Sequence, residues 1–435
     1  MYHIKNLDTF TATKLRADAR EILEAGYGAI DTRDVIKKNI HMDGDTLCIM
    51  DASFTLSTYE RVLVVAFGKC AADASAELEH ILGDYITEGI VIDIRSGTPL
   101  KRLSFLAGTH PLPSLQNVVA TEHVASLLSG ATDKDLVLVV VSGGGSSMLC
   151  LPSDMTCEVL SSVTDTLMKA GATIGEINTV RKHTSKIQGG QLAALAYPAT
   201  VVACLFSDVP GDDASMIASG PTVLDVTTKE DAEAILAKYD VMRTCALPYC
   251  ELIETPKDPN IFSRVTNLTI LSNRAMLVTM RKCAEVLGYR AFIAHTALEG
   301  EASDVGKRIV EEASREKTCM LYGGETTVTI PEGTVCGRGG RAQEVALSAL
   351  ICMSEDGTKH ETLVAAVASD GWDNTDAAGA IVDGVSVALA PILTGSPETY
   401  LTRHDAYGFF ERTGDHIITG RTGANVSDVY MTLTG

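Results

Sequence analysis

Positive charge is scarce in this 435-residue sequence: 36 Lys and Arg stand against 56 Asp and Glu, a formal net charge of −20. Such a surface repels phosphate backbones and anionic lipid, which excludes nucleic acid and membrane as main partners. Aromatic residues are also few, at 5% with one Trp, so small and β-branched side chains must fill the cores. No apolar run is long enough to span a bilayer. C-x-x-C pairs are missing, and the 11 cysteines are scattered and odd in number. That argues against a disulfide framework and for a reducing compartment. The polar start Met1-Tyr-His-Ile-Lys-Asn6 does not read as a secretory leader, so a cytoplasmic location is expected. There is no short-period repeat, no Walker A motif and no protein-kinase signature.

What the sequence does hold is a repeated strand–helix order. The chain is too long for one ordinary core, so two domains are expected, residues 1–255 and 256–435. A linker is expected at 248–260, where Pro248, Pro256 and Pro259 lie among charged residues. An opening helix is expected, with Asp8 as its cap and Gly26 as its stop. Strands are expected at 61–67, 89–94, 136–141 and 200–206, with helices between them. After the linker they resume at 268–271, 290–294, 318–322, 326–330 and 363–369. The fold class this predicts is α/β, with a doubly wound, mainly parallel sheet in the first domain.

The most informative stretch is 136–147, six apolar residues running into Ser142, Gly143, Gly144, Gly145, Ser146 and Ser147. The apolar run reads as a strand buried on both faces. Three glycines behind it let main-chain N–H groups approach a bulky anion, or they simply make a tight turn. Four other expected strand ends also carry small or polar groups: Gly68-Lys69, Ser207 to Asp213, Gly323-Gly-Glu325 and Ser369-Asp370-Gly371. Such ends are where open α/β sheets hold ligands. Lys69 reads as sitting at a helix N-terminus, where the macrodipole disfavours a cation, so either an anionic ligand or plain solvent faces it. The stretch from Asn178 through Arg181, Lys182, His183 and Lys186 is a basic island in an acidic chain. Arg181, Lys182 and Lys186 are at helical spacing, and Arg181 offers a fork for carboxylate or phosphate. Asp208, Asp212 and Asp213 can hold magnesium or shape a turn, and Glu325 and Asp370 share that ambiguity. Residues 337–342 fit G-x-G-x-x-A, but no strand is expected before them. Arg341 at the start of a helix suggests an anion site there instead.

Together these segments resemble the glycerate 2-kinase family, the class II glycerate kinases with a C-terminal MOFRL domain. The resemblance covers nearly the whole chain. It rests on Gly68-Lys69, Gly108-Thr-His-Pro-Leu-Pro113, Ser142-Gly-Gly-Gly-Ser146, Asn178-Thr-Val-Arg-Lys182 and Gln188-Gly-Gly190. It continues through Ser207-Asp-Val-Pro-Gly-Asp-Asp213, Ser219-Gly-Pro-Thr222 and Gly323-Gly-Glu-Thr-Thr327. It closes with Gly339-Gly-Arg-Ala-Gln-Glu344, Ser369-Asp-Gly371, Asp376-Ala-Ala-Gly379 and Thr419-Gly-Arg-Thr-Gly-Ala-Asn425.

The resemblance implies a Rossmann-like first domain and a smaller α/β MOFRL-type second domain. It implies ATP-dependent phosphorylation of D-glycerate to 2-phosphoglycerate with Mg2+, Lys69 and Arg341 being the catalytic pair. Arg181 then takes the glycerate carboxylate, and the 142–146 loop, Asn178 and Lys182 complete a substrate and phosphate site. Asp208, Glu325 and Asp370 hold the metal, or Asp208 and Glu325 orient the attacking hydroxyl. ATP and D-glycerate are the expected partners, and a homodimer is left open. The chain departs from the family at Ala342, where Asn is usual, and at Asp370-Gly-Trp372-Asp373-Asn374, where Asp-Gly-x-Asp-Gly is usual. Two rivals stand beside this reading: an NAD(P)H-dependent hydroxypyruvate reductase and a non-catalytic nucleotide- or anion-binding protein.

Overall fold

The computed structural model describes residues 3–435 except 96, 246–249, 315, 332, 356–360 and 394. By its internal contacts the chain divides into two units. The first comprises Thr32–Ser207 and Asp212–Ile270; the second comprises Met1–Asp31, Asp208–Gly211 and Leu271–Gly435. The division is therefore not one cut near residue 255, because the N-terminal segment belongs with the C-terminal half.

The first unit opens on a small antiparallel meander, β1 (Ile40–Asp43), β2 (Thr46–Ile49) and β3 (Ala52–Thr55), which sequence reasoning did not find. Its main sheet contains β4 (Arg61–Phe67), β5 (Glu88–Asp93), β6 (Leu103–Ala107), β7 (Asp135–Val141), β8 (Thr200–Phe206) and β9 (Val265–Leu271). Their order is β6-β5-β4-β7-β8-β9, with β4, β5, β6, β7 and β8 mutually parallel. The chain winds outward from β4 to β6, then returns beside β4 and winds the other way. The carboxyl ends of β4 and β7 thus form a topological switch point, the usual ligand position in a doubly wound sheet. Every residue of β7 is buried, as its unbroken apolar run requires.

The expected linker is not one. Pro248 lies outside the described residues, but Leu252 is buried in a core cluster and Thr255 is buried as well. The amide of Ile253 donates to His183 O at 2.8 Å. Pro259 opens the short helix Pro259–Phe262, and Pro256 lies in irregular but packed backbone.

The second unit holds β10 (Arg290–Leu298), β11 (Thr318–Gly324), β12 (Thr362–Ala368), β13 (Gly379–Val382), β14 (His416–Ile417) and β15 (Asp428–Thr434), in the order β10-β11-β15-β12-β13-β14. Only β10 and β11 pair parallel; β15 runs antiparallel between β11 and β12. The helix Arg341–Glu355 is almost wholly buried against this sheet. Residues 326–330 do not form a strand; Thr327 makes an isolated bridge to Glu301. The opening helix is Lys14–Ala29, capped by Thr13, whose side chain accepts from Arg16 N; Asp8 lies in a separate 3-10 turn. Gly26 does not stop it. Gly26 is a contact point, since a Cβ there would stand 2.7 Å from Met280 Cγ.

Candidate active site

At the switch point of the first unit, Phe67 and Val141 are register partners. The loops beyond them are knitted by backbone bonds: Ser142 N to Phe67 O at 3.1 Å and Lys69 N to Gly143 O at 2.9 Å. Ser142 is buried, and its hydroxyl donates to Phe67 O at 3.3 Å, so it braces the loop. Gly68 has φ +121°, and a Cβ on it would stand 2.1 Å from Ser142 Oγ. Gly144 has φ +80°, and a Cβ there would stand 2.7 Å from His110 Cδ2 and 3.4 Å from Lys69 Cγ. The Gly144 backbone, the Lys69 stem and the His110 ring therefore meet at one place that leaves no room for a side chain.

Two polar clusters hold that place. Ser146 Oγ lies 3.1 Å from Ser219 Oγ, which donates to Asn178 Oδ1 at 3.0 Å. Ala218 and Ser219 both have left-handed φ, +50° and +60°, a costly conformation for residues with a Cβ. On the other side Asn117, fully buried, accepts from Thr109 N at 3.0 Å and donates to Ser147 O at 2.9 Å. It thereby pins the His110 loop to the glycine loop. His110, Asn117 and Ser219 were given no role from sequence. His110 and Ser219 lie inside segments quoted for the family, and Asn117 reads there as an ordinary helix residue.

The basic island separates into different environments. Asn178, Arg181 and Lys182 lie on the helix Ile174–His183, while Lys186 lies beyond it and is exposed. Lys182 is buried and donates to Asp225 Oδ1 at 3.1 Å, and Asp225 also accepts from Thr227 Oγ1 at 2.8 Å. The structure spends Lys182 on an internal ion pair and does not bring it to the loop. Burial works against the Asp225 charge, but Lys182 and Thr227 outweigh it and lower its pKa. Arg181 is different. It is half-buried, no carboxylate among the described residues pairs with it, and desolvation lowers its pKa. A desolvated cation without an internal carboxylate has its charge left to be met by an anion.

In the second unit the candidate groups lie at the ends of the central strands. Asp428, the first residue of β15, is the register partner of both Gly324 at the end of β11 and Ala368 at the end of β12. Arg341 Nε donates to Asp428 Oδ2 at 2.6 Å, and Arg341 Nη1 donates to Glu325. Burial opposes the Arg341 charge, but Asp428 and Glu325 outweigh it and raise its pKa. Burial pushes Asp428 up to about 7 against the pull of Arg341, with Asp373 and Glu325 adding repulsion. The 425–428 loop gathers the neighbouring segments: Ser427 Oγ donates to Asp208 O at 2.7 Å, and Val426 N donates to Ser369 Oγ at 2.8 Å. Asp370 Oδ1 accepts from Trp372 N at 3.0 Å. Trp372 is partly exposed, with the Arg421 guanidinium 4.5 Å from its ring centre.

The helix after Lys69 and the helix that Arg341 opens both have internal carboxylates at their N-termini. Asp93 accepts from Ala72 N at 3.0 Å, in the first turn of the helix Ala71–Leu82. Lys69 precedes that helix and does not open it. Asp373 accepts from Ala342 N at 3.2 Å and Gln343 N at 2.8 Å. Gly340 makes room for it, as a Cβ there would stand 2.1 Å from Asp373 Oδ1. The helix-start anion site expected at Arg341 is therefore filled by the protein's own Asp373. No strand leads into residues 337–342, so the G-x-G-x-x-A match is not a dinucleotide fingerprint. Ala342 is fully buried in the core, which accounts for a small apolar residue there.

Among the described residues none of the 11 cysteines is in a disulfide. Among the described residues no helix is long and apolar enough to cross a membrane, and no three His, Cys, Asp or Glu side chains form a metal-binding group.

Comparison with known proteins places this geometry. Residues 18–251 match a family described as "Domain of unknown function (DUF4147)", and residues 318–428 match the MOFRL family. The glycerate 2-kinase of Pyrococcus horikoshii is 35% identical, over 97% of this chain and 98% of that protein. The crystal structure of glycerate kinase from Thermotoga maritima superposes with a TM-score of 0.82 at 32% identity, covering 97% of this chain and 99% of that one. An Agrobacterium vitis protein named provisionally as a hydroxypyruvate reductase is 37% identical over 86% of this chain and 87% of its own length. Two units, with a glycine-rich loop at a switch point in one and a bracketed arginine at the strand ends of the other, recur in these relatives: the chain belongs to the glycerate 2-kinase family.

Proposed function

We propose that this protein transfers a phosphoryl group from ATP to the 2-hydroxyl of D-glycerate, forming 2-phosphoglycerate. The observation that carries the reading is the switch-point cradle, where the Gly144 backbone, Lys69 and His110 converge in a chain matched end to end by glycerate 2-kinases. Phosphoryl transfer asks a protein mainly for positioning and charge stabilisation. Arg181 receives the glycerate carboxylate. Lys69 and the amides of the 142–146 loop hold anionic oxygens, with Ser146 and Asn178 fixing the loop. Arg341 neutralises charge on the phosphoryl group in flight.

Asp208, Glu325 and Asp370 are not gathered into a three-carboxylate group, but magnesium is commonly held by one or two carboxylates plus phosphate oxygens rather than by a protein cage, and each of the three offers a hard oxygen ligand for it. When bound it supplies neutralisation of phosphate charge. The test is ADP release over a panel of short hydroxy acids, run beside NADH oxidation with hydroxypyruvate. ADP formation dependent on D-glycerate is expected. NADH oxidation without ADP formation supports the reductase instead.

A further inference from the structure

Arg341 is bracketed by two carboxylates that differ in almost every respect. The Asp428 side chain is 2% exposed, whereas that of Glu325 is 41% exposed. Asp428 takes two nitrogens, Nε at 2.6 Å and Nη2 at 3.4 Å, and Glu325 takes Nη1 alone. Asp428 belongs to the central strand β15, paired on both sides with Gly324 and Ala368. Its Oδ2 also accepts from Tyr430 OH at 3.4 Å, and that hydroxyl lies 3.1 Å from Thr326 Oγ1. Both Asp428 oxygens are thus occupied. Glu325 lies just past the end of β11, held through its backbone N–H to Leu298 O at 2.8 Å.

Asp428 covers the Nε edge of the guanidinium and Glu325 an Nη1 donor. A phosphoryl group takes either of those donors only when the carboxylate on it withdraws. Removing the buried partner leaves an uncompensated charge in the interior, while the exposed one regains water. The choice between them follows from that difference.

We propose that Asp428 is a positioning residue that fixes the Nε edge of Arg341 throughout turnover, while Glu325 is a place-holder on the Nη1 face that the incoming phosphoryl group displaces. The proposal rests on the phosphoryl-transfer reading for the role of Arg341, but its two halves can be measured without turnover. In protein labelled with 15N-arginine, the Arg341 Nε–H signal should exchange slowly in the wild type and in Glu325→Gln, and be lost in Asp428→Asn. Inorganic pyrophosphate without metal should bind Glu325→Gln about tenfold more tightly by calorimetry, because one charged hydrogen bond no longer has to be broken.

In the ADP-release assay, Asp428→Asn should lower kcat on the order of 10- to 100-fold with KM for glycerate little changed, as expected when a charged group is misplaced. In an Arg341→Ala background the same change should cost almost nothing more. Asp428→Asn keeps the side-chain volume; if it does not fold, Asp428→Glu takes its place in the same cycle. Additive effects of the two substitutions would overturn the positioning role, and so would an Nε–H signal that survives Asp428→Asn. Unchanged or weaker pyrophosphate binding in Glu325→Gln would overturn the place-holder role. A wild type that forms no ADP would refute the kinase reading alone, since the NMR and calorimetric results would still decide the proposal.

Discussion

Gly144 permits the sharpest test of the cradle because the structure supplies its own control. Gly144 has φ +80° with His110 Cδ2 2.7 Å from where a Cβ would be; Gly171 has φ +79° with nothing within 4 Å. Both lie in the first unit. An alanine at either position adopts a left-handed conformation at a cost of about 1–2 kcal/mol. In a unit of this size that lowers the unfolding midpoint by roughly 2–8 °C. Only Gly144→Ala must also push the His110 ring away and crowd the Lys69 stem. The ring can swing, so the added loss of stability should be small, but the displaced groups are the ones proposed to face the ligand. Displacement of reacting groups by about an ångström can cost on the order of 10²-fold in rate. The assay is thermal unfolding together with ADP release for both variants. The two should unfold at similar temperatures, and only Gly144→Ala should lose turnover. Near-normal turnover in Gly144→Ala, or an equal loss in Gly171→Ala, would show that the loop is a structural turn.

Arg181→Met should leave stability unchanged or slightly raised, because a desolvated cation without a partner is removed, while KM for glycerate rises about 10- to 100-fold; an unchanged KM would take the carboxylate away from Arg181. Lys182→Ala should do the reverse, losing about 3 kcal/mol of stability by stranding buried Asp225, with turnover of the folded fraction retained; a specific loss of activity would return Lys182 to the site. His416 is held neutral, burial pushing its pKa down to about 4 with Arg338 adding to this against the pull of Asp376. Its unfolded form binds a proton below its ordinary range near 6.5, so its stabilising contribution is complete above that pH and is lost as pH falls toward 4, on the order of 3 kcal/mol in all. His416→Phe should flatten the fall of the unfolding midpoint over that window, and an identical acid profile in wild type and variant would refute it.

The chemistry at strand ends was legible where sequence distance is short. The run into Ser142 and the pair Gly68-Lys69 announce themselves because an apolar strand is followed at once by residues that suit close approach. Long-range pairing was not legible. Strand β15, which sits between β11 and β12, mixes polar and apolar side chains without a distinctive period, and its first residue Asp428 stands out only once it meets Arg341. Asp93 and Asp373 were equally hidden, since a carboxylate that caps a helix far along the chain looks in sequence like any turn acid. The same blindness made Lys182 look like part of a phosphate site, because its partner Asp225 lies on a different segment. The linker reading failed for a related reason: proline and charge mark irregular backbone, but Leu252 and Thr255 show that irregular backbone can be packed.

The most direct test of the central claim is identification of the product. Wild-type protein incubated with ATP, magnesium and D-glycerate is followed by 31P and 13C NMR, and the phosphorus-coupled carbon is assigned. The account predicts ADP and a phosphoryl group coupled to C2 of glycerate. Coupling at C3, or unreacted glycerate beside NADH-dependent reduction of hydroxypyruvate, would contradict it.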